Sequence, residues 1–312
     1  MNSGALIRRA ATALFVFVNA ARADLSPSPL TLTSLPPGQS QWPSDALRQR
    51  EFQPELASLI FVFSCITNIV NSQYRAAVRD CSSAIVLDPD NASPYKFRGE
   101  AYFLQGAYIS ALADFDRSAA MDPTDAAAFA ARAETYSALH DFHHALTNFD
   151  LAIRFSPEEP RYWSDRCWLR AVWNRNLKTA LSDCTTAHRL SPQFAPAMDG
   201  RAFVYFRMSA YKRAIRDYDV AIKLQNTYAR AYFGRGLAKL HLRYTASGRA
   251  DIVKARAIDR DIDTLFASMG VTGEGLSMPR RTRIRARRHS PPATGPSGAE
   301  QVPNKLFDSK SF

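Results

Sequence analysis

Two clusters in this sequence have the residue types that chemistry needs. In "HDFHHALTNFD", His140, Asp141, His143 and His144 crowd one stretch, and imidazole with carboxylate is a ligand set for a transition metal. His143 and His144 are adjacent, so on a helix their side chains diverge and only one can join His140. A solvated turn is the expectation, with no metal. In "PRRTRIRARRH", Arg280, Arg281, Arg283, Arg285, Arg287 and Arg288 would attract phosphates, anionic headgroups or acidic polymers, with strong salt dependence. The alternative is a solvated tail with no dedicated partner. No Gly-rich phosphate loop and no Ser, His and acid arrangement of recognisable context accompanies either cluster. The chain is therefore expected not to be an enzyme, with no catalytic residue, no cofactor and no small-molecule substrate.

The elements that would position these residues show in a repeat. "ALADFDRSAAMDP" returns as "ALTNFDLAIRFSP", "ALSDCTTAHRLSP" and "AIRDYDVAIKLQN". Pro89, Pro123 and Pro157 are 34 residues apart, Pro192 follows after 35, and Asn226 and Arg260 fill the same slot at further steps of 34. Within each period the apolar residues recur at helical spacing in two bursts, and a proline or its substitute ends the second. Each period is therefore a helical hairpin. Six hairpins, approximately 57–91, 92–125, 126–159, 160–194, 195–228 and 229–262, exceed the ~3 that stacked repeats need to bury a continuous core.

The order of residue types resembles the tetratricopeptide repeat family. The second period supplies Tyr95, Gly99, Tyr102, Ala111, Phe115, Ser118 and Pro123, and the third Phe129, Ala133, Tyr136, Ala145, Phe149, Ala152 and Pro157. The fifth gives Met198, Ala202, Tyr205, Ala214, Tyr218 and Ala221, and the sixth Tyr232, Gly236, Gly248 and Ala255. The first is the weakest match, with Asn68 at a tyrosine slot, and the fourth carries one extra residue between Trp163 and Ala180. The resemblance implies an all-α, right-handed superhelical solenoid of antiparallel hairpins over 55–263. A capping helix is expected at 259–270, with Ile262, Leu265 and Phe266 on one face and Gly270 as its stop.

Two further regularities follow the register. Arg98, Arg132, Arg166, Arg201 and Arg235 precede the small residue of each first helix, and Asp114, Asn148, Asp183, Asp217 and Asp251 lie 16 or 17 residues later. In an antiparallel hairpin those positions share a level, which suits either a structural clip between helices or a charged ladder for a ligand. Cys65 and Cys81 occupy matching levels of the first hairpin, and Cys167 and Cys184 the same levels of the fourth. They are either two helix-to-helix disulfides or small buried residues.

In the family the first helices line a concave face. The inward stripe at i, i+4, i+7 then reads Lys96, Glu100, Phe103; Ala130, Glu134, Ser137; Ser164, Trp168, with Trp173 beyond; Asp199, Phe203, Phe206; and Phe233, Leu237, Leu240. Such a stripe suits a peptide or helix laid in a groove, with aromatic anchors. Packing between hairpins, or cover by another part of the chain, is the alternative. Glu100 stands where the family's clamp for acidic C-terminal peptides needs Asn, which disfavours that ligand.

The ends differ in character. Residues 1–23 have a basic start, an apolar stretch and a small-x-small site, as in a secretory signal peptide, with an organellar transit peptide as the rival. Residues 24–54 are a Pro/Ser-rich linker, and 271–312 are expected to be a disordered, Arg-rich tail. Of the formal charge of +11, residues 1–23 carry +3 and 270–312 carry +5, so the array itself is nearly balanced. The expectation is an exported (periplasmic or secreted) protein scaffold whose partner is another protein or peptide. The alternatives are a tether binding anionic polymer, lipid or nucleic acid through its tail, and an accessory subunit positioning an envelope enzyme.

Overall fold

The computed structural model describes residues 54–271, and every regular element among them is an α-helix. Two compact units divide them. The first holds α1 (Pro54–Val70) and α2 (Tyr74–Leu87). The second holds α3 (Ala92–Leu104), α4 (Tyr108–Met121), α5 (Ala126–Ala138), α6 (Phe142–Phe155), α7 (Pro160–Trp173), α8 (Leu177–Leu190), α9 (Ala195–Arg207), α10 (Tyr211–Leu224), α11 (Ala229–His241), α12 (Thr245–Ile258) and the short α13 (Ile262–Ser268). The expected signal peptide, most of the linker and the Arg-rich tail lie outside the described residues.

Several helix starts and turns have a local cause. Asn91, Asp125 and Glu159 accept hydrogen bonds from the free N–H groups at the starts of α3, α5 and α7, and Pro160 takes the first-turn position of α7 where no N–H is needed. The turns inside the hairpins carry left-handed residues at the repeat period: Ser72, Gly106, His140, Asn174, Ser209 and Arg243. The extra residue of the fourth hairpin makes α7 one residue longer than α5, 14 against 13, and the turn after it holds a second left-handed residue, Asn176. Asparagine tolerates that conformation better than most side chains.

Within the second unit, partners α3/α4, α5/α6, α7/α8, α9/α10 and α11/α12 pack as hairpins, and successive hairpins pack on one another. The small-residue slot explains how closely. A Cβ on Gly99 would come within 2.8 Å of the Phe115 ring, so the glycine seats that ring. The structure joins Cys65 to Cys81 and Cys167 to Cys184 at these same two levels, with Cα atoms 5.4 and 5.5 Å apart. A covalent link thus occupies the place of the small-on-aromatic contact.

The arginine row lies between helices. Arg98, Arg166, Arg201 and Arg235 each fork onto the carboxylate of Asp114, Asp183, Asp217 and Asp251 at 2.6–3.1 Å, and Arg132 donates to Asn148 at 2.6 Å. Three of them also reach the preceding hairpin: Arg132 to Asp116 at 2.7 Å, and Arg166 to Asp150 and Arg235 to Asp219 at 2.6 Å. These bonds satisfy the row inside the array. In the first hairpin Ser64 and Asn68 take the arginine's place, donating to Asp80 at 2.6 and 2.7 Å.

Candidate functional site

The first helices of the second unit, α3, α5, α7, α9 and α11, bring the expected stripe together, but its two halves have different fates. In the C-terminal half, Trp168, Phe203, Phe206, Phe233 and Leu237 are all buried. Trp168 lies under Arg230 and Phe206 packs against Tyr211 and His241, while Phe203 and Phe233 are covered by α13. Its Phe266 ring centroid lies 4.5 Å from that of Phe233 and 6.0 Å from that of Phe203, and Ile262, Leu265, Met269 and Val271 are buried in the same apolar cluster. Arg207 at the end of α9 fixes this arrangement, donating to the carbonyls of Ala171 at 3.1 Å, Val172 and Met269. An aromatic groove open to a ligand is therefore corrected to an aromatic seat filled by the chain's own capping segment. Leu240 is partly buried against that cluster.

Trp173 also departs from the stripe. Its ring packs 4.7 Å from His143 and 5.8 Å from Phe142, at the turn of the preceding hairpin. Phe103 likewise meets Tyr108 across its own turn, at 5.7 Å. His144 bonds Asp141 at 2.7 Å and stacks on Tyr136, so that stretch is a capped helix start. Among the described residues no group of three or more His, Cys, Asp or Glu side chains could hold a metal ion.

The other half is polar. Lys96 of α3 pairs with Asp125 at 2.6 Å. This pair borders an open cleft of about 440 Å³ that is also lined by Ser93, Asp122, Thr124 and Tyr162. Arg161, on the first turn of α7, contacts Glu134 of α5 at 2.7 Å and Asp165 on its own helix at 3.4 Å. Arg230, on the first turn of α11, contacts Asp199 of α9 at 3.1 Å and stacks over the Trp168 ring at 4.2 Å. Glu100 makes no ion pair among the described residues.

Burial acts first on the carboxyl groups of this row. Burial, then the nearby charge of Glu134, pushes Glu100 up to about 7. Burial likewise raises Glu134, and raises Asp165 to about 7 despite Arg161. Burial would lower Arg161, but Glu134 and Asp165 outweigh it and hold the guanidinium firmly charged. The stripe contained Glu134 and Asp199 but not Arg161, Asp165 or Arg230. Extending it one turn toward the N-termini of α7 and α11 would have found both arginines.

No family model matches the chain. A TPR repeat-containing thioredoxin TDX of Arabidopsis thaliana is 28% identical over 122 residues, which are 38% of this chain and 32% of that protein. The chain thus spans about a third of that relative's length. Among solved structures, it is similar to the APC/C hetero-tetramer Cut9-Hcn1, with a TM-score of 0.60 at 15% identity over 70% of this chain and 42% of that one. It is similar to pilF of Pseudomonas aeruginosa at 0.57 and 12% identity, covering 66% and 94%, and to a tetratricopeptide repeat protein of Parabacteroides merdae at 0.54 and 16%, covering 68% and 88%. The 34-residue hairpins, the small-residue seats and these structural neighbours agree: the described residues have the fold of the tetratricopeptide repeat.

Proposed function

We propose that the chain is a non-catalytic scaffold that binds another protein through the polar half of its first-helix face. The observation that carries this reading is the unfilled ionic demand of that row. Glu100 is only partly buried, makes no ion pair among the described residues, and feels the charge of Glu134, which pairs with Arg161. A surface that leaves carboxylates short of cations is matched by a polypeptide that brings them. The aromatic half supports the surface instead of contacting a ligand, because α13 already covers it. Export remains part of this proposal, and the two cross-helix cysteine pairs support it, since disulfides persist in oxidising compartments.

Affinity capture from the native organism's extract tests the reading, with the parent beside a Lys96→Ala/Glu100→Ala variant of unchanged circular dichroism. A protein recovered by the parent and lost by the variant is expected. Equal recovery by both would overturn it.

A further inference from the structure

The first hairpin carries a pattern that the repeat register does not use. Residues of α1 fall on two stripes. Ser58, Val62 and Cys65 form the buried one: the Ser58 hydroxyl donates to the Ala84 carbonyl of α2 at 3.1 Å, and Cys65 is bridged to Cys81 of the same helix. The second stripe is Leu56, Leu59, Phe63, Ile66 and Val70, at steps of 3, 4, 3 and 4. That is the a/d spacing with which one helix pairs with another along a coiled-coil seam. Leu56, Leu59 and Val70 are nevertheless 56%, 57% and 76% exposed.

The chemistry of the seam selects its occupant. From Leu56 to Val70 α1 has no charged side chain, and Thr67, beside the seam, closes its hydroxyl on the Phe63 carbonyl at 2.9 Å. A charged polypeptide would meet no counter-charge there, and the positions flanking the seam carry nothing to choose an unlike helix. A helix lying in a membrane interface relies on Lys and Arg, which α1 lacks, and no described helix is long and apolar enough to cross a membrane. Head-to-tail contact with the last hairpin of another copy fails as well. On α12 the exposed Val253 is flanked by exposed Arg249 and Lys254, which burial against an uncharged seam would desolvate. What matches an uncharged heptad seam is the same seam.

We propose that α1 pairs with α1 of a second copy of this chain, antiparallel across a two-fold axis near Phe63, so that Leu56 of each copy meets Val70 of the other. Glu55 sets the direction. Parallel helices would bring the two Glu55 side chains together at one end of the seam, whereas antiparallel ones hold them about 24 Å apart along the axis. The Cys65–Cys81 bridge and the Ser58 bond keep the buried stripe on α2, so the seam is offered on a helix that need not be ordered on binding. A seam this short gives a weak, concentration-dependent dimer. The pairing goes beyond binding at the polar row and does not depend on it.

Analytical ultracentrifugation of the full chain over about 1–200 μM, the range of weak association, tests the pairing. It is run beside Leu56→Glu and Val70→Lys, both at exposed positions and both expected to keep the parent's circular dichroism. The parent should show a reversible monomer–dimer equilibrium, and either variant should weaken it at least about tenfold. Mixing the two variants should restore the dimer, because an antiparallel pair sets the new carboxylate against the new ammonium at one end and leaves the other end native. A parent that is monomeric throughout, its seam covered by another part of the chain, overturns the inference. So does a dimer that both substitutions leave intact, or growth beyond the dimer, which would mean head-to-tail stacking. A mixture that associates no more tightly than either variant alone overturns it too.

Discussion

Phe266 of α13 meets Phe233 of α11 with ring centroids 4.5 Å apart, and both rings are 1% exposed. This contact turns the end of the array inward: a segment that could have capped only the last hairpin also reaches Phe203, one hairpin earlier. Phe266→Ala is expected to cost about 3–5 kcal/mol, as for other buried phenylalanines. Urea denaturation checks this, and a loss below about 1 kcal/mol would show that the ring is not packed there.

Arg235 links three elements, forking onto Asp251 and reaching Asp219. Removing one partner of a buried pair typically costs 3–5 kcal/mol. Arg235→Ala should fall near the lower end, about 3 kcal/mol, because Lys239 still holds Asp251 at 2.8 Å. Asp219 is 52% exposed, so Asp219→Ala should cost no more than about 1 kcal/mol. Thermal unfolding of the two variants side by side separates an internal clip from a surface pair.

Much of this was legible in the sequence because a repeat displays each structural demand several times. The arginine row, the small residue seating Phe115 and the matched cysteine levels all follow from one 34-residue register. The path of α13 was not legible, since the stripe pattern around Phe203 is the same whether its cover is a ligand or the chain itself. Asp165 and Arg230 were missed for a related reason: their significance depends on superhelical packing that brings α11 over Trp168 of α7.

The cysteine pairs give a chemical prediction. Alkylation of the unreduced, denatured protein should add no label, and reduction should expose four thiols. Each bridge closes a loop of 16 or 17 residues, for which about 3 kcal/mol is expected. Cys167→Ser/Cys184→Ser should lower the unfolding midpoint accordingly under oxidising conditions, and should match the parent more closely under reduction.

The polar row predicts an unusual pH dependence. Glu100 and Asp165 rise in the folded state to about 7, above the ordinary values near 4. In the unfolded chain these groups lose their protons first, so the unfolded state binds fewer protons between pH 4 and 7. Stability should therefore fall as pH rises through that window. Glu100→Gln should flatten part of the decline and stabilise the protein at pH 8 by at most about 3 kcal/mol. Denaturant midpoints from pH 4 to 8 measure it, and identical slopes for parent and variant would remove Glu100 as a contributor.

The division of the first-helix face into a filled aromatic half and a polar binding half is tested most directly by nuclear Overhauser contacts among selectively labelled phenylalanines. Cross-peaks from Phe266 to both Phe233 and Phe203 are expected in the free protein. Their absence, together with solvent exposure of the Phe203 ring, would contradict the division and return the aromatic half to service as an open groove.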